Sequence, residues 1–450
     1  MAREMKDSGI EWIGEIPKEW QIVKMNIICS VITDYVASGS FASLAENVKY
    51  LDEPDYAMLI RTADVSRKGH VGKPVYINEH AYNFLKNSNL FGGEIILPNI
   101  GGVGEAYIVP KLYDKMSLAP NSIMIRTNYE DKYYYYFFNC EAGARALKQI
   151  SQSTAQEKFN KTDFRQIRGL IPLLREQKRI AAYLDAKCVE LDNILSKTRA
   201  SIEEYKKLKQ AVITQAVTKG IRGDREMKDS YNIRWGKIPS DWGLIRIKNC
   251  IIDLKSGLSS VTNDENAGES GYYVLRTSAV SSGVFLPKEV KPVLTSAISR
   301  LVCPVEKDTI VVSRMNTSAM VGTCAYVDNE YPGLFLPDKL WKIHIKRKYY
   351  AKYFWYVINS IPARSLFDEI STGESMSMQN ISVTDFVNNY VTVPSLNEQR
   401  EIVHYLDQKC SAIDDLIIKK EQYIFEIENY KKSLIYEYVT GKKEVPQEKV

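Results

Sequence analysis

Two stretches of the 450-residue chain carry a helical rhythm well beyond the usual length of a globular helix. Between Arg175 and Lys219 there is neither glycine nor proline. Apolar side chains at Ile180, Leu184, Leu191, Ile194, Ile202, Tyr205, Leu208, Val212 and Ala216 fall mostly three, four or seven apart. That spacing draws one stripe along an α-helix and approaches a coiled-coil seam. Ser395 to Thr440 repeats the pattern with Ile402, Leu406, Ile413, Leu416, Ile424, Ile427, Tyr430 and Leu434. Gly220 and Gly441 follow as C-terminal stops. Ser395 and Glu398 have the spacing of a capping box, whereas Leu173 stands at the equivalent point of the first stretch. About 45 residues at about 1.5 Å each predict helices roughly 67 Å long. Matching stripes predict that the two helices pack on each other. The alternative, each helix packed on its own domain's core, stays open.

Ahead of each helix, over 21–172 and 243–394, the period changes. Runs such as YAMLIRTADV, GEIILPNIGGVGEAYIVP, YYVLRTSAV and DTIVVSRMNTSAMVGTCAYV are rich in β-branched and aromatic residues and broken by Gly, Pro and Asn. They predict short strands and turns. DKYYYYFFNCEAGARALKQI and KYYAKYFWYVINSIPARSLFDEI predict helices late in each segment. Each segment therefore reads as a mixed α/β globule.

The two halves are copies. At an offset of 222, residues 3–20 and 225–242 agree at ten of eighteen positions, from Arg3/Arg225 to Trp20/Trp242, and both contain EMKDS. TDFRQIRGLIPLLREQKRIAAYLDAKCVELD (162–192) aligns at the same offset with TDFVNNYVTVPSLNEQREIVHYLDQKC and its continuation. Between the globules only a skeleton persists, such as IRTADV against LRTSAV. The expected organisation is a repeated N-terminal segment (1–20), a first globule (21–172), a first helix (173–220), a repeated linker (221–242), a second globule (243–394), a second helix (395–441) and a short tail (442–450). Strong retention of helices and linkers beside drifting globules suits a protein that recognises two different things at a fixed separation.

Composition narrows the classes. A hydrophobic share of 45% and a charged share of 26% are ordinary for a soluble globular chain, and no apolar run approaches a membrane span. The opening MAREMKDSGIEW has no apolar core and does not read as a secretory signal. Seven cysteines without a CxxC pair read as reduced thiols in a cytoplasmic protein. A net charge of +5 permits nucleic-acid binding without requiring it.

Catalytic signatures are not found. The four histidines (His70, His80, His344 and His404) have no ligand spacing with a second His or Cys. GHVGKP lacks the spacing of a phosphate loop, and NIGGVGEA reads as a tight turn between strands. No methyltransferase, nuclease or hydrolase motif stands out, so the chain reads as non-catalytic and without a cofactor of its own. What remains is a scatter of basic and amide side chains beside turns. In the first globule these are Arg61, Arg67, Lys68, Asn99, Arg126 and Lys161; in the second, Arg276, Arg314, Asn316, Lys342, Gln379 and Asn380. Arg, Asn and Gln can pair with base edges, and Lys serves phosphates.

The paired IGEIPKEW and WGKIPSDW, the Arg-Thr elements at 61–62 and 276–277, and above all IPLLREQKRIAAYLD and VPSLNEQREIVHYLD, resemble the specificity subunit of type I restriction–modification enzymes over essentially the whole chain. The resemblance implies two target-recognition domains, each reading one half of a split double-stranded DNA site, held apart by two antiparallel helices in a coiled coil. It implies that the repeated regions hold two methyltransferase subunits, which carry S-adenosylmethionine, and that restriction and motor subunits complete the enzyme. Glu176, Gln177, Tyr183 and Leu184, with Glu398, Gln399, Tyr405 and Leu406, stand in the repeated motif and are the expected scaffold and partner residues. Two rival readings stay open: a specificity subunit of a modification-only system, and a coiled-coil protein adaptor that reads no DNA.

Overall fold

The computed structural model describes residues 3–65, 73–151, 157–258, 271–375 and 378–446. The chain divides into two compact units. Unit 1 comprises residues 1–198 and 422–450; unit 2 comprises 199–421. The division falls within the two long helices, α1 (Leu174–Lys219) and α2 (Leu396–Val439). Each unit thus owns one globule and part of both helices. No helix among the described residues is long and apolar enough to cross a membrane.

In unit 1 an antiparallel sheet runs in the order Cys29–Asp34, Ser122–Thr127, Ile95–Pro98, Tyr107–Ile108. A second sheet orders Val75–Ile77, Ala57–Ile60, Met116–Leu118 and Asn89–Leu90, with the central pair parallel. In unit 2 the antiparallel sheet recurs as Ile251–Ser256, Leu340–Ile345, Ile310–Ser313, Cys324–Tyr326. Its second sheet orders Val290–Pro292, Tyr273–Leu275 and Leu334–Phe335, the last pair parallel. A third is formed by Met315–Asn316 with Met378–Asn380 and Thr372–Ser375; among the described residues of unit 1 its counterpart is an isolated bridge, Ile100 to Lys158. The turn after Ile95–Pro98 takes the glycine run as expected. Each late helical segment breaks in two: Asp131–Asn139 and Glu141–Gln149, then Ala351–Ile358 and Ile361–Ile370. The backbone becomes extended at Cys140 and at Ser360, which the apolar pattern does not signal.

The repeated segments build the same joint twice. Met5–Asp7 pairs with Glu15–Pro17, and Met227–Asp229 pairs with Lys237–Pro239 in the same register. Each hairpin delivers an arginine and a tryptophan to the third residue of a long helix. In unit 1 the Trp20 indole N–H donates to Glu176 Oε2 (2.9 Å) and Arg3 Nη1 to Glu176 Oε1 (2.7 Å). In unit 2 the Trp242 indole donates to Glu398 Oε2 (3.0 Å), and Arg225 is bonded to Glu398 and Asp241. Hydrogen bonding to Glu398 raises the Arg225 pKa, so the guanidinium stays charged. Both tryptophans are fully buried. Removing about 200 Å² of indole from water is worth about 5 kcal/mol at about 25 cal per Å², against about 1 kcal/mol for a hydrogen bond. Apolar burial therefore supplies the strength of the joint, and the carboxylate fixes its geometry.

The following glutamines tie the helix to the globule. Gln177 donates to the Pro172 carbonyl (2.8 Å) and accepts from Glu130 N (3.2 Å). Gln399 does the same with Pro394 (2.9 Å) and Tyr350 N (2.8 Å). About two turns further on, Asp185 accepts from Tyr136 and Lys132, and Asp407 from Tyr356 and Lys352. Ser395 caps α2 through Glu398 N (3.3 Å), but Glu398 does not complete the capping box, because its side chain goes to Trp242 and Arg225. Gly220 and Gly441 end the helices in the left-handed region, and a Cβ on Gly441 would lie 2.5 Å from Pro17.

Within unit 1, α1 and α2 touch through Tyr183 and Tyr438, with ring centroids 4.7 Å apart, and through the Lys431–Asp192 ion pair. Within unit 2, Lys209 pairs with Asp414 (2.7 Å) and Lys420 lies over Tyr205. In each unit residue numbers rise on one helix as they fall on the other. The apolar stripe is not wholly buried: Leu208, Leu416 and Tyr430 are exposed.

Replacing Glu398 by alanine leaves the Arg225 charge and the Trp242 N–H without their shared partner. The expected loss is about 2–3 kcal/mol, read as a lower denaturant midpoint. Glu176→Ala should lose less, because the Glu176 side chain is 22% exposed and that of Glu398 only 4%. Equal losses would show that burial does not set the strength of the joint.

Candidate nucleic-acid interface

The structure separates the basic candidates by what already neutralises them. In unit 1 the Arg61 guanidinium is bonded to the buried Asp64 (Nη2–Oδ1 2.7 Å) and to the Lys73 carbonyl. Asp64 also accepts from Arg61 N, so the pair closes the turn between Ala57–Ile60 and the short helix Thr62–Val65. Arg126 pairs with the buried Glu94, which also accepts from Phe91 N and Gly92 N. Lys161 pairs with Asp34 at 2.8 Å. Asn99 donates to the Phe159 carbonyl (3.1 Å). Beside Asn99, a recess of about 340 Å³ is lined by Ile100, Lys158, Phe159 and Asn160. Arg67 and Lys68 lie outside the described residues.

Unit 2 brings four candidates together. The pair Arg314 and Asn316 lies more than sixty residues before the pair Gln379 and Asn380, yet Met315 pairs with Asn380 and Asn316 with Gln379 across two strands. Arg314 Nε donates to Asn380 Oδ1 (3.4 Å), and its guanidinium carbon lies 5.8 Å from the Trp341 ring centroid. Asn316 Nδ2 donates to Ser281 and Ser313 hydroxyls, each at 3.2 Å. Gln379 lies within reach of Ser371 and the Gly373 carbonyl. Arg276 is exposed and donates to the Val290 carbonyl (3.0 Å). It has Ala279 where unit 1 has Asp64, so its local ion pair is lost. Lys342 is not a surface base: it is buried on Glu306 and the Pro304 carbonyl, both at 2.7 Å. Its strand is central, so alternate side chains point inward whatever their polarity.

The backbone shows that Asn99 and Arg314 are equivalent positions. Each follows the third strand of the antiparallel sheet. Asn99 N donates to Asn121 O and Phe159 N to Asn99 O; Arg314 N donates to Lys339 O and Ile381 N to Arg314 O. One scaffold position thus carries a carboxamide in unit 1 and a guanidinium in unit 2.

The scaffold candidates lie mostly inside the chain. Leu184, Leu406, Gln177 and Gln399 are fully buried, and Glu176 and Glu398 hold the hairpins. Tyr183 meets Tyr438, and Tyr405 is half-buried beside Lys409. Arg3, Arg225, Trp20 and Trp242 were not among the sequence candidates, although their identity between the two copies marks them. The carboxylates Asp34, Asp64 and Glu94 carry no comparable signal. All seven cysteines are buried, and burial pushes Cys29 up to about 12 and Cys140 up to about 11, which removes them as nucleophiles. Among the described residues no group of His, Cys, Asp and Glu could hold a metal ion.

Comparison with known proteins agrees with this arrangement. The family described as Type I restriction modification DNA specificity domain matches twice, over residues 17–204 and 239–429. The specificity subunit of the type I restriction enzyme MjaVIII from Methanocaldococcus jannaschii is 22% identical over 438 residues, covering 95% of this chain and 93% of that protein. The EcoKI specificity subunit from Escherichia coli is 20% identical over 444 residues, covering 95% and 90%. A structure solved for complex assembly and conformational transition of the type I R-M system has a TM-score of 0.68 at 15% identity, covering 95% of this chain and 99% of that one. An HsdS subunit from Thermoanaerobacter tengcongensis has a TM-score of 0.50 at 14% identity, covering 95% and 98%. With two matches that together span most of its length, the chain belongs to the type I restriction–modification DNA specificity family and carries two of its domains in tandem.

Proposed function

We propose that each globule, 21–172 and 243–394, is a target-recognition domain that reads one half of a split double-stranded DNA site. The chain acts as the non-catalytic specificity subunit of a type I restriction–modification system. On this reading α1 and α2 form an antiparallel coiled coil that sets the unread gap. The repeated segments and helices dock two methyltransferase subunits, which supply S-adenosylmethionine and the chemistry, and restriction and motor subunits join them.

The observation that carries the reading is one joint built twice beside surfaces that differ. The Arg–Glu–Trp contacts and the glutamine–proline ties recur at the same offset of 222, and the tyrosine–aspartate pairs recur with their tyrosines at 220 and their aspartates at 222. The equivalent positions Asn99 and Arg314 differ in the edge chemistry they can offer. A protein adaptor has no need of such a pairing. Arg276 and the cluster Arg314, Asn316, Gln379 and Asn380 form the proposed DNA face of unit 2. Asn99, with Lys161 and the recess beside it, forms that of unit 1. Arg61 acts there through the turn it closes.

Replacing 21–172 with the corresponding globule of another family member should change one half of the methylated motif and leave the other, as read by base-resolution methylation mapping. A change in both halves would defeat independent reading. The helices can be tested as a ruler with four residues added to each at matched points, after Thr198 and after Glu421. An insertion nearer Arg175 would displace Glu176 from Trp20. Four residues add about 6 Å, close to two base pairs of rise. The half-sites should keep their sequence while the gap grows by one or two base pairs. An active variant with an unchanged gap would exclude the helices as the ruler.

A further inference from the structure

We infer that Arg314 reads a guanine in the half-site served by unit 2 and that Asn380 positions it; this rests on the DNA-reading function proposed above. Three observations lead there. The first is charge. Arg61, Arg126 and Arg225 each have a carboxylate, as does Lys161. Arg314 is half-buried and has no carboxylate in ion-pair reach among the described residues. A guanidinium drawn partly out of water without a counter-charge is costly unless acceptors complete it elsewhere.

The second is geometry. The Arg314 backbone is held on both sides, N to Lys339 O (3.1 Å) and O from Ile381 N (3.0 Å). Its side chain is held at the Nε by Asn380 and lies beside Trp341, which is itself buried against Phe386. Among the described residues neither terminal nitrogen is bonded. With Nε occupied, the two terminal nitrogens form a fork of donors with no acceptor.

The third is chemical selection. In the major groove guanine offers two adjacent acceptors, O6 and N7, which match that fork. Adenine places an N6 donor beside N7, and cytosine offers a donor, so both oppose it. Phosphate would also accept from the fork. However, the surrounding side chains are the carboxamides of Asn316, Gln379 and Asn380, which mix donors and acceptors as base edges do. A phosphate presents acceptors only. Asn99, at the equivalent position in unit 1, has its amide on the Phe159 carbonyl and no fork to offer, so this guanine-reading arginine belongs to unit 2, and unit 1 reads its half-site by other contacts.

The test uses the full chain co-expressed with its methyltransferase subunits, as wild type and as Arg314→Gln, Arg314→Lys and Asn380→Ala. The measurements are base-resolution methylation mapping and competition binding, with every base pair of the second half-site permuted, at two salt concentrations. Arg314→Gln should cut discrimination at a single G·C pair by about tenfold to a hundredfold and leave the first half-site unchanged. Arg314→Lys should retain part of it. Asn380→Ala should relax the same pair to a smaller degree at an unchanged melting temperature, an effect that a merely structural residue would not produce. Uniform weakening across all sequences with a shallower salt dependence would make Arg314 a phosphate contact and overturn the inference. So would relaxation at a pair that is not G·C, or an unaltered motif. A wild-type complex with no split motif would instead overturn the proposed function.

Discussion

A carboxylate taken out of water must be given partners, and each half of this chain solves that problem at the same point. Glu176 and Glu398 stand at the third position of their helices, in the first turn where backbone N–H groups favour an anion. Each gathers an indole N–H and a guanidinium from a hairpin more than 150 residues away in sequence. Helix start, hairpin and tryptophan are thereby fixed together. The neighbouring glutamines and aspartates then join the globule's late helices to the same point. Everything else in a unit is placed by reference to that joint, so the globule surface can change without moving its frame.

That division explains what could be read from sequence. The long helices follow from an unbroken apolar period, and the duplication from residues that match at a constant offset. The stripe itself is less faithful. A spacing of seven drifts by about 20° per heptad on a straight α-helix, so Leu208, Leu416 and Tyr430 rotate towards solvent. The breaks at Cys140 and Ser360 lie outside the apolar period: Asn139 and Glu141 flank the first, and Asn359, Ser360 and Pro362 mark the second as a local stop and restart. Within the candidate site, residue type was a sound guide to chemistry and a poor one to availability. Lys342 and Arg314 both looked like basic residues near turns. One is buried on Glu306 and the other keeps a free fork. The difference lies in partners brought from distant segments, and a local pattern carries no information about those.

The same contrast separates structural from available charge. Asp64 and Glu94 are almost wholly buried, and each also accepts backbone N–H groups. Removing Arg61 or Arg126 would therefore strand a buried carboxylate and disturb a turn. Loss of DNA affinity in such a variant would report on folding rather than on reading. Arg314 and Arg276 hold no such debt to a carboxylate, so their substitution is the cleaner probe of recognition.

The two hairpins differ at one position in a way that bears on how far each can hold its own shape. Both make the same turn. Ser8 N donates to Gly14 O and Ser230 N to Gly236 O, and Asp7 and Asp229 each accept from the next residue but one. The first hairpin places Gly9 in the left-handed region (φ +64°). The second places Tyr231 there (φ +54°), a conformation that costs a side-chain-bearing residue about 1–2 kcal/mol. The first turn is therefore favoured by its own residues, whereas the second must be imposed by what it is attached to. Gly9 lets its hairpin turn without that local penalty. The hairpin of Tyr231 leans for its shape on the contacts of Trp242 and Arg225 with Glu398, which makes it the more dependent of the two.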